Sequence, residues 1–84
     1  MEKLENFRNN LRELTSIRGM KSALAKKAGI SPVYFSYILA GSKTPSLEIA
    51  VNIAASANIP LSDLLGNPSD FRKKFKSNLL ATSR

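Results

Sequence analysis

The chain has 84 residues, with thirteen Lys and Arg against six Asp and Glu, a net charge of +7, no His and no Cys. That length suits one small domain, which buries only about 60–65 % of its unfolded surface and needs an economical core. Lacking Cys, the chain has no disulfide, thiolate metal site or thiol nucleophile. Lacking His, it also has neither the usual neutral-pH acid–base group nor the commonest metal ligand. A pI near 10.2 predicts attraction to polyanions. The six carboxylates are scattered from Glu2 to Asp70 with no pair at catalytic spacing. The expectation is a non-enzymatic domain without catalytic residue, cofactor, metal or small-molecule substrate. The most apolar stretch, Ile49 to Ile59, is broken by Asn52, Ser56 and Asn58 and is too short to span a bilayer. The N-terminus lacks the plan of a secretion signal, so no membrane partner and a cytoplasmic location are expected.

Leu4, Phe7, Leu11 and Leu14 recur at helical spacing, with Glu2 and Glu5 early and Arg12 late, as the helix dipole favours. Gly19 is expected to end this first helix near Ile17 or Arg18. A second, short helix is expected over Lys21 to Ala28, with Leu24, Ala25 and Ala28 on one face, Lys26 and Lys27 on the other, and Gly29 as its stop. Ser31-Pro32 is the clearest local signal. Serine caps, and proline at the first helical position lacks only an N–H that would be unused there. The third helix should run from Pro32 to about Ala40, closed by Gly41. After the loop Ser42-Lys43-Thr44-Pro45, Ser46 caps a fourth helix from Leu47 to about Ala57, with Asn58 as left-handed terminator. Leu61 to Leu65 reads as a short fifth helix stopped by Gly66. Asn67-Pro68-Ser69-Asp70 then restarts as an approximate capping box. Phe71, Phe75 and Leu79 form an apolar stripe amid Arg72, Lys73, Lys74 and Lys76. No strand alternation or repeat is present, so the reading is all-α.

The second and third helices are joined only by Gly29-Ile30-Ser31, the connection of a helix-turn-helix, whose second helix enters the major groove in DNA-binding versions. Phe35 and Ile38 match the core positions, leaving Pro32, Val33, Ser36 and Tyr37 outward and Tyr34 at the margin. An outward face of Val, Ser and Tyr is unusual for solvent and sensible against a groove. Val33 can meet a thymine methyl, and the Ser36 and Tyr37 hydroxyls can meet base edges or phosphates. Between Glu13 and Glu48 no acidic residue occurs, while Arg18, Lys21, Lys26, Lys27 and Lys43 all fall there.

Leu24-Ala25-Lys26-Lys27-Ala28-Gly29-Ile30-Ser31, Ile38, Gly41, Pro45-Ser46-Leu47-Glu48 and Ile59-Pro60-Leu61-Ser62-Asp63-Leu64-Leu65 together resemble the lambda-repressor/Cro type of helix-turn-helix regulator, also called the Xre family. The resemblance runs from about Leu4 to Gly66. It implies a five-helix lambda-repressor-like DNA-binding domain over 1–66, with its helix-turn-helix at 21–40 and recognition helix at 32–40. Residues 67–84 would add a C-terminal basic amphipathic helix and tail. The implied partner is double-stranded operator DNA, bound by a homodimer on an inverted repeat, as in a phage- or prophage-like repressor. Carried over by position, Pro32 and Val33 occupy the first two base-facing places and Tyr37 the third, with Ser36 beside them. Lys21 stands where the family has a phosphate-contacting Gln, and Lys43 lies in the loop that touches the backbone. Ser22, Ser31, Tyr34 and Thr44 complete the positions expected for phosphate contact or register.

Two departures matter. Pro32 cannot make a bidentate base contact, and Met20 replaces the Thr or Ser that caps helix two in the family. Leu64, Leu65, Phe71, Phe75 and Leu79 are read as either core cover or dimer contact. The alternative function is a protein-interaction module, such as an antitoxin or adaptor with secondary DNA binding, docking through Phe71 to Leu80.

Overall fold

The computed structural model describes residues 2–74, and among these the secondary structure is helical with no strand. The helices are α1 (Glu2–Thr15), α2 (Met20–Ala28), α3 (Pro32–Ala40), α4 (Leu47–Ala57) and α5 (Leu61–Leu64). A sixth, α6, occupies 68–74. The expected Phe75 and Leu79 positions of the apolar stripe lie outside the described residues.

The starts of α3 and α4 use the same device. Ser31 Oγ accepts from Tyr34 N at 3.0 Å, and Ser46 Oγ accepts from Ile49 N at 3.2 Å. Each bond satisfies one of the amide donors that a helix leaves without an internal partner. At the end of α4, Asn58 adopts φ 61 and Ile59 N donates to Ala54 O, after which Pro60 prevents continuation. Asn67 caps α6 through Oδ1, which accepts from Ser69 N at 2.8 Å. Asp70 returns no bond, so the anticipated capping box is only half made.

The junction of α1 and α2 departs from expectation. Helix α1 stops at Thr15, two to three residues early, and Gly19 serves α2 instead. The hydroxyls of Thr15 and Ser16 donate back to Leu11 O and Glu13 O, competing with onward propagation of the helix. Gly19 takes φ 81 and its carbonyl accepts from Ala23 N, so it is the N-cap of α2. Met20 is therefore not a cap. It is the first helical residue, half-buried against the core, and no side chain caps this helix. Helix α5 ends one residue before the expected Leu65, which closes its turn by donating to Leu61 O.

The core takes Phe7, Leu11 and Leu14 from α1, Leu24, Ala25 and Ala28 from α2, Phe35 and Ile38 from α3, and Ile53 and Ala54 from α4, together with Leu64 and Phe71. Burying each large side chain contributes about 1.5–3 kcal/mol, so this cluster is what holds such short helices. Helix α2 packs on α4 and α3, while α1 closes over α3, α5 and α2. Leu64 and Phe71 face the interior of their own domain, and Leu65 is half-buried against the same cluster. Phe71 is thus not available as the first anchor of an adaptor surface running to Leu80.

Candidate nucleic-acid interface

The turn between α2 and α3 is fixed by backbone bonds. Gly29, at φ 76, donates to Lys26 O, and Ile30 N donates to Ala25 O at 3.0 Å. A Cβ on Gly29 would meet nothing within 4 Å, so glycine is needed there for its backbone angle and not for space. Ser31 then caps, Pro32 presets the first turn, and Phe35 and Ile38 plant α3 in the core. Their burial decides what faces outward. Val33 is 61 % exposed and Tyr37 47 %, so α3 turns two large side chains outward. Pro32 is exposed beside them, and Ser36 and Tyr34 are half-buried at the margin.

Lys21, on the first turn of α2, reaches this face. Its Nζ donates to Ser36 Oγ at 2.9 Å. Ser22 and Ser31 are exposed at the starts of α2 and α3. Beyond α3 the chain folds back on it: Ser42 N and Lys43 N both donate to Tyr37 O, at 2.9 and 3.2 Å. That sharing places Lys43 at a fixed distance from the outward Tyr37, with exposed Thr44 next in line. The Lys21–Ser36 bond and the backbone bond from Lys43 to Tyr37 thus tie both flanks of α3 to its outward face, with Pro32, Val33 and Tyr34 on the same helix and Thr44 next to Lys43 in the chain.

Two contributors were not legible from local pattern. Arg8 Nε donates to Ile38 O at 3.2 Å and Arg12 Nε to Leu39 O at 2.8 Å. Helix α3 has no basic residue in its own last turn, so these α1 guanidiniums supply the positive charge that its carbonyl end favours. From the sequence alone, Arg12 is placed only as favourable to the dipole of α1. The signal available was the pair Arg8 and Arg12 at i, i+4, on a side of α1 away from its apolar stripe. On another side of α1, Asn10 Nδ2 donates to Leu64 O and Gly66 O, and Asn6 Nδ2 donates to Leu65 O.

Charge is divided along the chain. Residues 14–43 carry Arg18, Lys21, Lys26, Lys27 and Lys43 with no carboxylate. Residues 44–71 carry Glu48, Asp63 and Asp70 with no Lys or Arg. The ion pairs among the described residues, Arg72 with Glu13 and Lys74 with Asp63, leave the five cations of the first stretch unneutralised. An acid-free stretch around the motif suits docking against phosphates. Among the described residues no group of His, Cys, Asp or Glu is arranged to hold a metal ion. No helix among them is long and apolar enough to cross a membrane.

Residues 11–64 match the family model described as Helix-turn-helix (HTH_3), which covers both helices of the motif and continues to the end of α5. No curated protein and no solved structure matches the chain. The motif and the all-helical fold support a DNA-binding regulatory function. With more than half its length matched, the chain belongs to the HTH_3 helix-turn-helix family.

Proposed function

We propose that this protein is a lambda-repressor/Cro-type transcriptional regulator. It recognises an inverted-repeat operator in double-stranded DNA as a homodimer, in the cytoplasm or nucleoid, without catalysis or cofactor. The observation that carries this reading is the outward face of α3, apolar and exposed at Val33 and Tyr37, within a stretch holding five cations and no carboxylate. Val33 supplies apolar contact to thymine methyls and Tyr37 a hydroxyl to a base edge or phosphate. Lys43 and Thr44 take the backbone, with Ser22, Ser31 and Tyr34 setting register.

Pairing has a surface in keeping with this reading. Leu64 and Phe71 are occupied in the core, which leaves Leu47 and Val51, one turn apart and exposed on α4. Residues 44–71, which include both, carry no Lys or Arg, which limits the repulsion between two chains of charge +7.

Selection from random duplexes at physiological salt tests the reading. An enriched inverted repeat with half-sites about one helical turn apart is the expected result, and enrichment of nothing would overturn it. Neutralising about six phosphates gives a log–log salt slope near −5, measured by titration at several ionic strengths. Val33→Glu and Tyr37→Ala are expected to lower the preference for operator over random duplex. Lys43→Ala should weaken both alike.

A further inference from the structure

We propose that Lys21, tethered by Ser36, reads the O6/N7 edge of one guanine in each half-site through its unspent ammonium hydrogens. The inference rests on the operator-binding reading above and names the base that the face takes. It starts from the direction of one hydrogen bond. Ser36 Oγ accepts from Lys21 Nζ at 2.9 Å, whereas the hydroxyls of Thr15, Ser16 and Ser56 donate to carbonyls of their own helices or adjoining turns. The Ser36 hydrogen therefore has no acceptor among the described residues, and two of the three ammonium hydrogens of Lys21 are likewise unspent.

Nothing nearby uses that charge. Lys21 is in no ion pair among the described residues, and no carboxylate occurs in 14–43. A half-buried lysine tethered to a neutral hydroxyl, one turn beyond the exposed Pro32 and Val33, is a cation held ready for an external acceptor. The tether also removes part of the rotamer freedom that such a long side chain would lose on binding.

Chemistry then selects the ligand. The ammonium of Lys21 offers only hydrogens and positive charge. In the major groove, adenine puts a donor beside its N7, cytosine presents a donor, and thymine offers one acceptor next to a methyl group. Guanine alone offers two adjacent acceptors, O6 and N7. Pro32 brings no side-chain hydrogen bond and Val33 none, so the polar discrimination at this part of the helix falls to Lys21 on its Ser36 tether. A phosphate is also acceptor-only, and the experiment must separate it from guanine.

The test uses the full chain and the operator obtained by selection, with each guanine of a half-site replaced in turn by 7-deazaguanine. For the unaltered protein, one position per half-site is expected to lose roughly 10- to 100-fold in affinity. Lys21→Met keeps the length of the apolar stem. In this variant that 7-deaza penalty should vanish, while binding to random duplex falls only slightly. Ser36→Ala, a change that favours the helix, should shrink the same penalty with the salt slope unchanged, because the charge remains. Circular dichroism confirms that both variants are folded. If Lys21→Met weakens operator and random duplex equally and lowers the salt slope by about one, Lys21 is a phosphate contact and the guanine reading is refuted. An operator with no 7-deaza-sensitive guanine refutes it as well, leaving the DNA-binding reading intact. Failure to enrich any sequence overturns both.

Discussion

Helix α1 grips two other helices by their carbonyl ends, and the two grips use different chemistry. Arg8 and Arg12, one turn apart, donate to the last carbonyls of α3. Asn6 and Asn10, also one turn apart, donate to Leu65 O, Leu64 O and Gly66 O around the end of α5. The arginine side is open: Arg12 is exposed and Arg8 half-buried. The asparagine side is closed, with Asn10 1 % exposed. The contrast follows from desolvation. A guanidinium can serve a helix end while it stays partly in water, whereas burying an ion beside α5 would cost several kcal/mol, so a neutral amide does that work. Even the amide is imperfectly matched, since Asn10 Oδ1 is buried without a partner among the described residues. The charged grip holds the helix that is proposed to face DNA, and the neutral grip holds the end of α5, in the dry interior of the domain.

Substitutions can break this contrast at either end. Asn10→Asp makes the largest change, because it deletes two donated bonds and sets a carboxylate against carbonyl oxygens in a dry site. A loss of about 3–5 kcal/mol in urea-unfolding free energy is expected, a large part of the stability of so small a domain. Arg8→Ala with Arg12→Ala should cost about 2 kcal/mol, less than the single buried change, because one of these guanidiniums is solvated. The double variant should also weaken operator binding more than binding to random duplex, since α3 loses the contacts that fix its angle. Smallest is the pair Ser31→Ala and Ser46→Ala, each costing about 1 kcal/mol through one lost cap bond. Thermal unfolding should place these two close together, while only Ser31→Ala, at the start of α3, changes DNA affinity. If Asn10→Asp proved milder than the arginine pair, the account of the two grips would be wrong.

What could be read in advance was whatever neighbouring residues decide between themselves. Ser31-Pro32, Ser46 and Asn58 mark helix ends through bonds that span three or four residues, and α3 and α4 have the expected bounds. The apolar spacing likewise separated buried Phe35 and Ile38 from exposed Val33 and Tyr37. Gly19 shows the limit of local reading. A glycine with positive φ fits the end of one helix or the start of the next, and the back-bonding hydroxyls of Thr15 and Ser16 settled the choice. The grips of α1 and the bond from Lys21 to Ser36 join residues 15 to 59 positions apart. Such partners are chosen by how helices pack, and nothing in the spacing of either member names the other. The family match reaches the motif and stops at Leu64, so it is silent on Phe71, whose burial anchors α6 to the same core.

The division of charge between residues 14–43 and 44–71 has a consequence for motion as well as contact. In the field of a polyanion, a body positive along one part of its chain and negative along another feels a torque as well as a pull. The torque favours approach with the unpaired cations of the first stretch leading. Orientation is thereby partly decided before any atom touches, and adding salt would slow arrival more than it hastens departure.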